Sequence, residues 1–140
     1  MNERRRPELE RRTLVYVSGA MTGRSRFRPL RWLQFRRNCR RGTRIGIHLI
    51  RLGFACIIPH MNGYAPYRRG MTWQDWLGSD LEAVRRSDVL LRLPDPDRTF
   101  PSKGADQEVR VAHRNGVPVV LGGPPELLVW QHERDQERDE

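Results

Sequence analysis

Four short runs of apolar, β-prone residues recur along the chain, at residues 14–17, 54–58, 89–93 and 117–121, and helix-length stretches separate them. Strands that alternate with helices at this spacing pair in parallel through right-handed crossovers. The run Phe54-Ala55-Cys56-Ile57-Ile58 is apolar throughout, as a strand covered on both faces would be. In such a sheet a ligand site forms beyond the carboxyl ends of the strands, so the loops after each run are where chemistry is expected.

Three of those loops carry suitable residues. The first run ends in Ser18-Gly19-Ala20-Met21-Thr22-Gly23, a small-residue turn suited to a ligand loop, and the second ends in Pro59-His60. After the third and a Pro/Asp-rich loop at 94–101 comes Ser102-Lys103-Gly104-Ala105-Asp106-Gln107-Glu108. A Gly-containing turn at a helix start offers backbone N–H groups to an anion, and Glu108, about one turn in, faces the same mouth. An ordinary N-cap with a dipole-compensating glutamate has the same pattern, so the stretch alone does not decide.

Helix signals fit the alternation. Ile45, Leu49 and Leu52 follow helical spacing from about Asn38, and Gly53 ends that helix. Thr72-Trp73-Gln74-Asp75 has the form of a capping box opening a helix to about Arg86, with Asp80 in its middle. Residues 124–130 could start a last helix, and the charged tail 131–140, of poor periodicity, is expected to fray. Residues 1–12 are nearly all charged and read as a disordered basic arm, which leaves 13–130 as the domain.

The 140 residues suit one domain, and the formal charge of +9 is carried almost wholly by arginine, Lys103 being the single lysine. Nine arginines fall within residues 24–44, interleaved with Phe27, Trp32 and Phe35. A nucleic-acid track and a solvated face over packed aromatics both fit that composition. Two cysteines without metal-ligand spacing fit a reducing compartment, and no run reaches transmembrane length. A soluble, cytoplasmic protein is expected.

The order of these motifs resembles the nucleoside 2-deoxyribosyltransferase-like family, which includes small phage and bacterial members of uncharacterised activity and related nucleotide N-glycosidases. The match is carried by Val15-Tyr16-Val17-Ser18-Gly19, Asn38, Pro59-His60, Trp73-x-x-Trp76-Leu77-x-x-Asp80, Ser87-Asp88-Val89, Ser102-x-Gly104-Ala105-x-x-Glu108 and Gly116-Val117-Pro118. The chain departs from the family in having Ala20 where proline is common, a longer connection at 24–37, and an enlarged 94–101 loop with Asp95 and Asp97.

The resemblance implies an α/β fold: a three-layer flavodoxin-like or Rossmann-like domain with a parallel sheet of about four to five strands. It implies Glu108 as a nucleophile toward the anomeric carbon of a (deoxy)ribosyl group and Asp80 as the acid serving the leaving base. Tyr16, Ser18, Gly19, Ser102 and Gly104 fall near the sugar or phosphate, and His60 near the base. A nucleoside or its 5′-monophosphate is the implied small-molecule substrate, with no metal or other cofactor and a homodimer or larger homo-oligomer. From the arginine-rich segment itself only weak, sequence-independent nucleic-acid binding is expected, and from the hydropathy no membrane. Glu108 is expected to be partly exposed and of little weight in stability. The alternative is a non-catalytic nucleotide-sensing or nucleic-acid-associated module.

Overall fold

The computed structural model describes residues 11–64, 70–97 and 101–140. The expected disordered arm falls largely outside them. Strand β1 (Leu14–Ser18) leads to helix α1 (Arg28–Arg51), β2 (Ala55–Ile57) and a 3-10 turn (Pro59–Tyr64). Then follow α2 (Trp73–Arg86), β3 (Val89–Arg92), α3 (Lys103–Arg114), β4 (Val119–Leu121) and α4 (Pro124–Asp139).

The four strands form one parallel sheet in the order β2-β1-β3-β4, with Tyr16 opposite both Ile57 and Leu90. Because β1 connects outward to β2 on one side while β3 returns to its other side, the strand order reverses between β1 and β3. That reversal opens a crevice at their carboxyl ends. The run at 54–58 lies at the sheet edge, its three strand residues only half-buried, so its apolar continuity reflects the α1 packing and not a central place.

Side-chain alternation sorts the core into two layers. Val15, Val17, Val89 and Leu91 pack with Leu49 of α1 and Leu127 of α4 on one face. Tyr16 and Leu90 pack with Val84 of α2 and Ala112 of α3 on the other. The same period of two carries Ser18 and Arg92 to the α2/α3 side at the strand ends.

Several local expectations hold. Thr72 and Asp75 form the reciprocal capping box, with bonds of 3.1 and 2.8 Å. Gly53 follows the end of α1 at φ +101°, a left-handed conformation open to glycine because it has no Cβ. Two expectations fail. Helix α1 begins ten residues before Asn38, with Pro29 in its first turn. Its inner face is built from Cys39, Gly42, Gly46 and Leu49, and three small residues give little periodic signal. The tail is helical to Asp139, supported by polar pairs four residues apart: Gln131 with Asp135, and His132 with Gln136. Arg134 also lies over the Trp130 ring at 5.2 Å.

Candidate active site

At the crevice, α3 brings Glu108 against the ends of β1. Ser102 caps this helix, its Oγ accepting from the Ala105 N–H at 3.3 Å. Ala105, Glu108 and Ala112 form the buried face of α3. Glu108 is only 7% exposed, which corrects the expectation of a partly exposed residue. It is held from below, since Tyr16 donates its hydroxyl to Oε2 and Ser18 donates Oγ–H to Oε1 at 2.9 Å.

Burial wins over those bonds. Desolvation raises the Glu108 carboxyl to about 7, Tyr16 and Ser18 oppose the rise, the charge of Asp80 adds to it, and Arg92 opposes it weakly. Asp80, reaching the crevice from α2, is raised to about 6 by desolvation. Tyr16 is pushed far up by burial and then by the charges of Glu108 and Asp80, so its phenol stays a hydrogen-bond donor. Two acids that sense each other therefore titrate around neutrality.

Glu108 and Asp80 line a cavity of about 250 Å³ together with Gly19, His60, Ser102 and Gly104. Its apolar wall comes from Phe35, Trp73 and Trp76. Of the eight residues expected at the site, six thus stand on the cavity. Tyr16 and Ser18 lie behind Glu108 instead, where they hold the carboxylate.

His60 is 1% exposed, and burial followed by the nearby Arg41 charge lowers it to about 4, against opposing backbone bonds at Gly19 and Ala20. It is neutral at physiological pH, so it offers shape and hydrogen bonding but no charge. Its ring rests on α1 where Gly42 leaves room: a Cβ there would stand 2.2 Å from His60 Cγ. One turn on, Gly46 gives the same clearance to Ile58.

Sequence reasoning missed Gly42, and it also gave Arg92 no role. Arg92 is buried at the end of β3, donating to the Leu93 carbonyl at 2.7 Å and to Asp95 and Asp106 at 3.0 and 3.4 Å. The available signal was one charged residue interrupting Val-Leu-Leu-Arg-Leu. Asp95 is thereby tied to Arg92, and the enlarged loop is fastened at both ends. Arg41 donates to the Pro94 carbonyl at 2.7 Å, and Arg24 to the Pro101 carbonyl at 2.5 Å. Asn38 secures the first loop through the Met21 carbonyl at 3.2 Å.

Among the described residues no group of three His, Cys, Asp or Glu is placed to hold a metal ion, and no helix is long and apolar enough to cross a membrane. The arrangement suits a carboxylate acting on a carbon electrophile, with a second acid available to the leaving group.

No family model and no curated protein matches the chain. Solved structures do. A 2-deoxyribosyltransferase from the psychrotolerant bacterium Bacillus psychrosaccharolyticus superposes with TM-score 0.57 at 15% identity, over 78% of this chain and 71% of that one. A conserved protein from Enterococcus faecalis V583 gives TM-score 0.59 at 21% identity, over 79% of this chain and 63% of that one. The chain has a nucleoside 2-deoxyribosyltransferase-like fold, with the three-layer flavodoxin-like architecture expected from the sequence.

Proposed function

We propose that this protein cleaves or exchanges the N-glycosidic bond of a (deoxy)nucleoside or its 5′-monophosphate through Glu108. The observation that carries the reading is a buried carboxylate at the strand-order reversal, braced by two hydroxyls and facing an aromatic-walled cavity that also holds Asp80. The likeness of fold to a 2-deoxyribosyltransferase supports it.

In the first step a Glu108 oxygen forms a bond to the anomeric carbon as the C–N bond breaks, and its electron pair leaves with the base. In the ionisation form that reacts, the less populated one with Glu108 charged and Asp80 protonated, Asp80 supplies the proton that the departing base takes. The positive charge that develops on the sugar is stabilised by the adjacent carboxylate, as in retaining glycosidases. Water or a second base then attacks the glycosyl ester, returns a proton to Asp80 and frees Glu108. Tyr16 and Ser18 act as positioning residues, holding the nucleophile's rotamer while leaving its charge largely uncompensated.

A 5′-phosphate is the preferred terminus in this reading, received by the α3 start at Ser102 and Gly104. The counterweight is plain, for the described cavity wall carries two acids and no Lys or Arg. Chromatography of a panel of nucleosides and 5′-monophosphates, with and without an acceptor base, tests the assignment. Released base, and a glycosyl adduct at Glu108 by mass spectrometry, are expected. Binding of the panel without base release by freshly folded protein would overturn it in favour of a nucleotide-sensing module. Phosphate preference is checked separately, by comparing kcat/KM for matched pairs on wild type and Ser102→Asp; an unchanged preference removes that part alone.

A further inference from the structure

The catalytic reading leaves the outer face of α1 unused. The sequence carries no Asp or Glu between Glu10 and Asp75, so this helix has no acid of its own to pair with eight arginines. Arg36, Arg40 and Arg44 recur every fourth residue, and Arg37 and Arg51 flank them. All five are exposed, and among the described residues none is ion-paired. At about 100° per residue this band is centred opposite Gly42, Gly46 and Leu49, which face the core. It runs from Trp32 to Arg51, about 28 Å along the helix axis.

The residues within and beside the band choose the partner. Trp32 and Leu33 are more than half exposed, and the Arg36 guanidinium lies 4.8 Å over the Trp32 ring. Exposed Phe27 stands just before the helix. We propose that this face of α1 is a docking track for single-stranded nucleic acid, in which the arginines follow the phosphates and Trp32, with Phe27, receives unstacked bases.

Paired bases in a duplex give exposed aromatics nothing to stack on, whereas splayed bases stack on them whatever the sequence. An anionic membrane fits less well. Leu33 and Ile47 lie within the arginine band, so inserting them would drag Arg36, Arg40 and Arg44 into the acyl region. Arginine suits phosphate through its planar fork of donors. The arginine band lies across α1 from the cavity side chain Phe35, while Trp32, three residues before Phe35, stands at the band's edge.

Fluorescence anisotropy of the full chain with a labelled oligothymidine, a duplex of equal length, and phosphatidylserine vesicles tests this across a salt series. Expected is binding to the single strand, tighter than to the duplex or the vesicles. Its logarithmic salt slope should be about −0.7 for each phosphate neutralised. Replacing Arg36, Arg40 and Arg44 together by serine should make the slope shallower by about 2 and cost about ten-fold or more in affinity at low salt. Trp32→Ala should cost about five-fold or more. The control Arg110, Arg114 and Arg138→Ser removes equal charge from α3 and α4, and should cost far less. The proposal is overturned by equal losses in both triple variants, by tighter binding to duplex or vesicles, or by no single-strand binding at low salt. Should the triple variant lose its helical circular dichroism, the single Arg40→Ser and Trp32→Ala substitutions decide, and no loss in either also overturns it.

Discussion

Replacing Glu108 by glutamine should abolish turnover and yet make the folded protein more stable above neutral pH. The carboxyl is raised from its ordinary 4.5 to about 7, chiefly by burial. Its folded form therefore binds a proton more readily than its unfolded form. The penalty for burying the ionised group is absent below 4.5, grows as pH rises, and is complete above about 7. The gap corresponds to about 3 kcal/mol at 1.36 kcal/mol per pH unit. Glutamine retains the shape and one acceptor oxygen for Tyr16 or Ser18 and carries no charge, so it escapes that penalty. A mismatched amide–hydroxyl contact subtracts about 1 kcal/mol at every pH. The variant should thus melt slightly below wild type at about pH 5 and above it at about pH 8.5. For a chain of this size the swing between the two is about 5–10 °C. Thermal melts of both proteins across that range provide the assay. A difference in melting temperature that stays constant with pH would show that Glu108 is not desolvated, and the reasoning would fail. Glu108→Ala is the poorer probe, because it leaves the Tyr16 and Ser18 hydroxyls without their acceptor.

Three further outcomes are expected. The pH profile of kcat/KM should be bell-shaped between about 6 and 7, with both limbs belonging to the coupled Asp80–Glu108 pair; a profile flat from about pH 5 to 9 would remove the pair from the chemistry. Tyr16→Phe deletes a bond that lowers the Glu108 pKa, already the higher of the pair, so the alkaline limb should move to higher pH and the maximum should fall with activity retained in part, and an unmoved profile would deny the contact. Gly42→Val places a side chain where the His60 ring lies, which should destabilise the fold by about 1–3 kcal/mol in denaturant titration and lower kcat/KM; wild-type values of both would show that His60 does not depend on that clearance.

Much of the architecture was legible because it follows from local chemistry. Apolar runs of strand length, the Thr72/Asp75 capping box and the glycine after α1 each reflect forces acting within a few residues. Their alternation leaves little choice but a parallel sheet with its crevice at the strand ends. For the same reason Glu108, His60, Gly19, Ser102 and Gly104 could be named as neighbours from the strand ends, Asp80 entered through the family resemblance, and all six line one cavity. Signals built from small or polar residues were not legible. The inner face of α1 depends on Gly42 and Gly46, whose value lies in what they leave empty, and the end of α4 is held by polar pairs that composition reads as a loose tail. Tertiary structure alone decided the state of the site. Whether a glutamate near a helix start is a solvated dipole partner or a desolvated acid near pH 7 depends on what covers it. The groups that meet it there, Tyr16 and Ser18, lie 92 and 90 residues away in the chain, and the sheet turns them toward α3 because alternate side chains of β1 share a face.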